Sequence, residues 1–260
     1  MVNSLPLQNF LTRWRLGEKL AVLTAYDASG ASLASAGGID LILVGDSLGN
    51  VVQGLDSTSQ VTLEQMVYHT RMTARTAKVP LVADLPANTY QTPEIAIDSA
   101  RLLMAAGAHA VKFEGNPPGV AEALLSEGIP VMGHLGLLPQ TAQGFKVHGK
   151  EAEEAQKIRD DAKALTQAGC FSLVLECVPL SLARQITEEN SLPTIGIGAG
   201  PYTSGQVLVF HDLLGLTEGR KAKFVPQGYP SVGQLARSVI ESYVRDVKAG
   251  VYPSDEESYH

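Results

Sequence analysis

A closed (β/α)8 TIM barrel is the fold this chain predicts, and three observations predict it. Eight short apolar runs alternate with longer amphipathic stretches over its 260 residues. The runs are continuously apolar, as strands covered on both faces require. Several of them end in a carboxylate, and a parallel barrel gathers all strand C-termini at one mouth, where the active sites of this fold sit. An open doubly wound sheet is the alternative arrangement of the same alternating elements.

The first segment, about residues 5–18, reads as an amphipathic helix containing Trp14 that caps the end opposite the mouth. The strand runs follow: AVLTAYD (21–27), LILVGDS (41–47), PLVADLP (80–86) and AVKFEG (110–115). PVMGHLG (130–136), SLVLECV (172–178), PTIGIGAG (193–200) and VLVFHDLL (207–214) complete the eight. The helices between them carry end signals. Residues 62–76 begin at Thr62, with Leu63, Met66 and Val67 on one face. Thr92 before Pro93 opens a helix that stops at Gly107. Ala155, Ile158, Ala162 and Leu165 mark another over 151–168, followed by Gly169. Only PYTSGQ separates the last two runs, room for a very short helix. Residues 139–150 read as a long polar loop, and 251–260 as a solvated acidic tail. A single domain over 1–260 is expected.

Composition narrows the class. Apolar residues make up 45% of the chain, enough for a substantial core. A net charge of −7 argues against a nucleic-acid scaffold, which would show a basic stripe. The two cysteines, Cys170 and Cys177, have neither CxxC nor zinc spacing and read as reduced, buried thiols. No apolar stretch approaches the roughly 18 residues of a membrane helix, so no membrane contact and a cytoplasmic location are expected.

The carboxylates at the strand ends are Asp46, Asp84, Glu114 and Glu176; His134, Asp27 and Asp212 end three further runs. A lone acid after a strand is often a helix cap. Several acids in one mouth repel, and need a cation or protonation. Hard oxygen ligands without cysteine favour Mg²⁺ over zinc. Lys112 lies two residues before Glu114 and so shares its face. It reads either as a salt-bridge partner of a neighbouring acid or as a counter-ion for a substrate carboxylate or enolate. His134 is equally a structural histidine or a substrate hydrogen-bonding group. The glycines of GIGAG, 196–200, lack the dinucleotide-binding spacing.

The segments TAYD (24–27), LVGDSLG (43–49), VQGLDST (52–58), YHT (68–70), ADLP (83–86) and VKFEG (111–115) together resemble the ketopantoate hydroxymethyltransferase family. GHLGLLPQ (133–140), LECVP (175–179), IGIGAG (195–200), GQVLVFHD (205–212) and GVYP (250–253) extend the resemblance over almost the whole chain. It implies a Mg²⁺-dependent barrel that transfers a one-carbon unit from 5,10-methylenetetrahydrofolate to 3-methyl-2-oxobutanoate, giving 2-dehydropantoate on the route to pantothenate. By motif, Asp46 and Asp84 would be metal ligands, with Glu114 completing the site directly or through water. Asp46, Ser47, Asp84 and Lys112 would contact the oxo acid, as His134 could. Glu176 would be the catalytic base. The resemblance also implies a homodecamer of two pentameric rings. The chain departs from the family pattern at TAQGFKVHG (141–149), a short loop, and at Ala87, where a bulky aromatic is frequent. The rival enzyme reading is a Mg²⁺-dependent carbon–carbon lyase of the phosphoenolpyruvate mutase and isocitrate lyase type, which commonly carries a reactive cysteine on a mobile loop. A non-enzymatic metabolite sensor would bind the oxo acid without turnover.

Overall fold

Eight parallel strands close on themselves in chain order, with the last paired to the first. They are β1 (Leu20–Thr24), β2 (Leu41–Val44), β3 (Leu81–Asp84), β4 (Ala110–Glu114), β5 (Val131–Gly136), β6 (Ser172–Glu176), β7 (Thr194–Ile197) and β8 (Gly205–Leu208). The structure, a computed structural model, describes residues 4–142, 144, 146–217 and 222–260. The chain forms two compact units, Met1–Val209, which holds the barrel, and Phe210–His260. Every residue of β2, β3, β4 and β6 is buried, which is why these strands read as unbroken apolar runs.

The barrel is filled from below. Leu7, Phe10 and Leu11 of α1 (Leu5–Arg15) join Leu20, Leu41, Val82, Ala110, Met132 and Val174 in one core cluster, with Trp14 packed against it. Phe10 meets Phe171 edge-on at 6.4 Å. Helix α1 packs its apolar face into this core and ends at Arg15, short of residue 18, where Gly17 turns the chain with a left-handed backbone.

The capping residues behave as their types require. Asp27 is exposed and its carboxylate serves as a cap: it starts α2 (Ala28–Ala36) by accepting from the Gly30 amide. The short α3 (Leu48–Val51) and a 3-10 turn at Thr58–Gln60 fill the stretch after β2, a detail without helical periodicity in the sequence. Thr62 forms a capping box with Gln65 at the start of α4 (Leu63–Ala74). Thr92 caps α5 (Pro93–Ala105), and α6 (Val120–Ser126) follows β4. Gly169, with φ at 106°, ends α7 (Ala152–Ala168), and α8 (Leu180–Glu189) precedes β7.

The last strand differs from the sequence expectation. It occupies 205–208, and Asp212 lies within α9 (Phe210–Leu214) and does not end a strand. An apolar run cannot by itself separate a strand from the helix that continues it. No helix joins β7 to β8 among the described residues; they connect through turns. In the second unit, α10 (Val232–Lys248) begins at the Ser231 cap, and the tail beyond it is exposed.

Gly205 opens β8 where a Cβ would collide with the Leu20 carbonyl oxygen and side chain. The β1–β8 seam that closes the barrel depends on this close approach. Gly205→Ala is expected to cost about 1–3 kcal/mol as the seam is forced apart, read as a lower urea midpoint with an unchanged m-value.

Candidate functional site

The interior face of the barrel changes character at one level. Val82, Ala110, Met132 and Val174 belong to the apolar core. Two residues further along the same strands stand Asp84, Lys112, His134 and Glu176. Strand alternation points each pair inward, so the apolar filling gives way to a charged layer at the C-terminal mouth. Register brings this layer together: Asp84 is opposite Lys112, and Glu114 is opposite His134. All are buried, as is Asp46 just beyond β2.

Contacts run across the layer in a line. Lys112 Nζ lies 3.0 Å from Asp84 Oδ1 and 3.3 Å from His134 Nδ1. His134 Nε2 lies 3.2 Å from Glu176 Oε2. An ammonium has only hydrogens to offer, so Nδ1 of His134 accepts and the ring proton belongs on Nε2, facing Glu176. Burial and the positive charge of Lys112 hold His134 below its ordinary pKa, which keeps the ring neutral. Burial also works against the Lys112 ammonium, but Asp84, Glu114 and Asp46 outweigh it and raise its pKa. Lys112 is thus both the salt-bridge partner and a cation set among acids.

Asp46 and Asp84 adjoin: the Asp46 amide donates to Asp84 Oδ2 at 3.1 Å. Burial, followed by repulsion from Asp84, pushes the Asp46 carboxyl up to about 7. Burial likewise pushes Glu114 up to about 9, with Lys112 opposing. Ser47 Oγ is 2.9 Å from the Tyr26 hydroxyl, which also accepts from Thr24 at 2.8 Å. All seven sequence-predicted site residues therefore belong to this end of the barrel, whereas the Asp27 carboxylate is taken up by its cap on α2.

Two residues escaped sequence reasoning. Gln140 donates its amide nitrogen to Asp46 Oδ2 at 2.7 Å and to the Leu85 carbonyl at 3.0 Å, and its backbone N–H donates to Glu114 Oε2 at 3.1 Å. Tyr90 donates to Gln140 Oε1 at 2.5 Å while its ring packs beside Phe113. The only sequence signal was Gln140 itself, an amide closing the apolar GHLGLLPQ stretch. Part of the following loop, at 143 and 145, lies outside the described residues.

The donor set fits a hard divalent cation. Asp84 Oδ1 is buried without a hydrogen bond, although it faces the Lys112 charge. Among the described residues, no three His, Cys, Asp or Glu side chains form a ready-made cage. Mg²⁺ does not need one, because it takes one or two carboxylates and completes its shell with water and substrate oxygens.

The family profile of ketopantoate hydroxymethyltransferase matches residues 5–255. The chain belongs to that family. The 3-methyl-2-oxobutanoate hydroxymethyltransferase 2 of Hahella chejuensis is 48% identical over 264 residues, covering 99% of both chains. The 3-methyl-2-oxobutanoate hydroxymethyltransferase of Idiomarina loihiensis is 51% identical over 251 residues, covering 94% of each. Among solved structures, phosphonopyruvate hydrolase in complex with oxalate and Mg²⁺ aligns with a TM-score of 0.66 at 13% identity, over 98% of this chain and 92% of that one. A 2,3-dimethylmalate lyase of the phosphoenolpyruvate mutase/isocitrate lyase superfamily aligns at 0.62 and 15% identity, over 98% and 91%. At such identity the likeness is one of fold. Among the described residues, no helix is long and apolar enough to cross a membrane.

The raised carboxyls make stability depend on pH. A carboxyl held above its unfolded value binds its proton more tightly in the folded state. Its stabilisation is full below the unfolded value, 3.8 for Asp46 and 4.5 for Glu114, and is lost as pH rises through about 7 and about 9. Chelator-treated protein should therefore lose stability to denaturant as pH climbs from 5 to 9. Asp46→Asn should flatten the lower half of that decline.

Proposed function

We propose that this chain is a Mg²⁺-dependent hydroxymethyltransferase that moves a one-carbon unit from 5,10-methylenetetrahydrofolate to 3-methyl-2-oxobutanoate, giving 2-dehydropantoate. The observation that carries this reading is the buried line from Asp84 through Lys112 and His134 to Glu176. It would put Asp84, beside Asp46, at one end to hold a cation and Glu176 at the other to accept a proton. The names of the relatives carry the same oxo acid.

Asp46 and Asp84 would hold the metal, with Glu114 reached directly or through water. Bound Mg²⁺ would supply Lewis-acid polarisation of an oxo acid that offers carboxylate and keto oxygens together. Ser47 donates to the substrate from its place beside Tyr26. Lys112 sets positive charge beside the oxygen on which negative charge develops. Glu176 takes the proton from C3. Neutral His134, with Nε2 3.2 Å from Glu176 Oε2, lies beside that carboxylate and leaves proton movement to it. The enolate carbon bonds to the one-carbon unit as its two bonds to folate nitrogens break; a water supplies the hydroxyl oxygen, and the proton taken from C3 and the second proton of that water end on the two folate nitrogens. The folate supplies the electrophile; the chain supplies orientation and charge.

The lyase reading calls for a reactive cysteine. Cys170 and Cys177 instead flank β6 as buried free thiols, pushed up by burial to about 12 and about 11. A cytoplasmic homodecamer remains part of the proposal. Helix α10 favours self-association, because Val232, Leu235, Val239, Tyr243 and Val247 recur at helical spacing and none of its residues is buried. Sedimentation at micromolar concentration should give a species far above the 27.6 kDa chain; a clean monomer would remove the decamer.

A coupled assay with the oxo acid, methylenetetrahydrofolate and Mg²⁺ tests the activity, and oxo-acid binding without turnover would leave only a sensor. Glu176→Gln is expected to keep Mg²⁺ and oxo-acid affinity but lose turnover by roughly 10²–10⁴-fold, as for a positioned acid–base group. Loss of C3–H exchange into D₂O, followed by NMR, should accompany it. If the variant loses Mg²⁺ instead, Glu176 belongs to the metal site.

A further inference from the structure

We propose that Gln140, braced by Tyr90, is a positioning residue that fixes the Asp46 carboxylate in the orientation from which it binds the cation. This rests on the reading of Asp46 as a metal ligand.

Every hydrogen-bonding group of the Gln140 side chain is committed. Both amide hydrogens are used, one on Asp46 Oδ2 and one on the Leu85 carbonyl, and the amide oxygen takes the Tyr90 proton. The Leu85 carbonyl can only accept. It therefore settles which end of the amide is nitrogen, and with it that Asp46 receives a donor. A flipped amide would set oxygen against both Asp46 and Leu85. Gln140 is buried, so these bonds are formed away from solvent.

The consequence falls on Asp46. Its Oδ2 is tied to Gln140, and Oδ1 takes no hydrogen bond among the described residues. One oxygen is anchored and the other is left for a ligand. The backbone N–H of the same residue holds Glu114 Oε2. Gln140 thus links carboxylates from β2 and β4, together with the end of β3, through one loop that follows β5. Tyr90, on the loop after β3, locks the arrangement from the far side. Groups that orient metal ligands in this way carry weight: their removal typically weakens metal affinity or activity 10–100-fold.

The test is Mg²⁺ calorimetry on the full chain with Gln140→Met, which keeps length and removes the donors, and Tyr90→Phe, which keeps the ring and removes the proton. Asp46→Asn is the control for the ligand reading. Gln140→Met should weaken Mg²⁺ binding roughly 10–100-fold, with Tyr90→Phe weaker in the same direction. Its activity should recover as Mg²⁺ is raised, which a merely structural defect would not do. Parent-like Mg²⁺ affinity in Gln140→Met, with affinity lost in Asp46→Asn, overturns the positioning role and leaves the ligand reading intact. Parent-like affinity in Asp46→Asn overturns both. If Gln140→Met does not fold, Tyr90→Phe decides by the same criteria.

Discussion

The ion pair between Lys112 and Asp84 is the contact around which the mouth of the barrel is organised. The two residues are opposite one another in the β3–β4 register, and their charged atoms are 3.0 Å apart in a buried setting. An ammonium there without a partner would lose its proton, and the acids around it would be forced to take one up. With it in place, Asp84 has a cation 3.0 Å away, and His134 is held neutral. The line of groups that reaches Glu176 depends on that neutrality, because a second cation beside Lys112 would turn toward the acids and break the order.

Energetically the mouth works against the fold. A tenfold change in proton affinity is worth about 1.4 kcal/mol, and burial displaces Asp46 and Glu114 far enough to matter against the roughly 5–15 kcal/mol that holds a domain together. The apolar interior offsets this. The side chains of α1 and the lower strand positions form a closed core beneath the charged layer. A single strand contributes to both, apolar at one inward position and charged two residues later. This division lets the barrel tolerate a buried layer of acids that protonation or a cation relieves.

Much of this was legible in the sequence, for identifiable reasons. Buried parallel strands must be apolar on both faces, so LILV, LVAD and LVLE announced themselves, and the barrel turned their endings into one site. The same logic misled at both flanks. Asp27 looks like a mouth residue, but its carboxylate follows a strand and precedes a helix, and the cap explains it fully. Asp212 was drawn in because the apolar residues of α9 continue those of β8 without a break. Pairing could not be read at all: Lys112 admitted either a salt bridge or a substrate role, and only register shows that Asp84 faces it.

Gln140 marks the remaining gap. Titratable residues are visible in a sequence because burying them is costly, whereas an amide raises no such flag. Its role arises from three long-range contacts, to residues 46, 85 and 90, that no local pattern encodes. The acids supply charge, but a carboxylate rotates about its own axis unless something holds one oxygen. A neutral donor suits that task better than a lysine would. It orients the carboxylate without neutralising its charge, and it adds no further cation to the mouth.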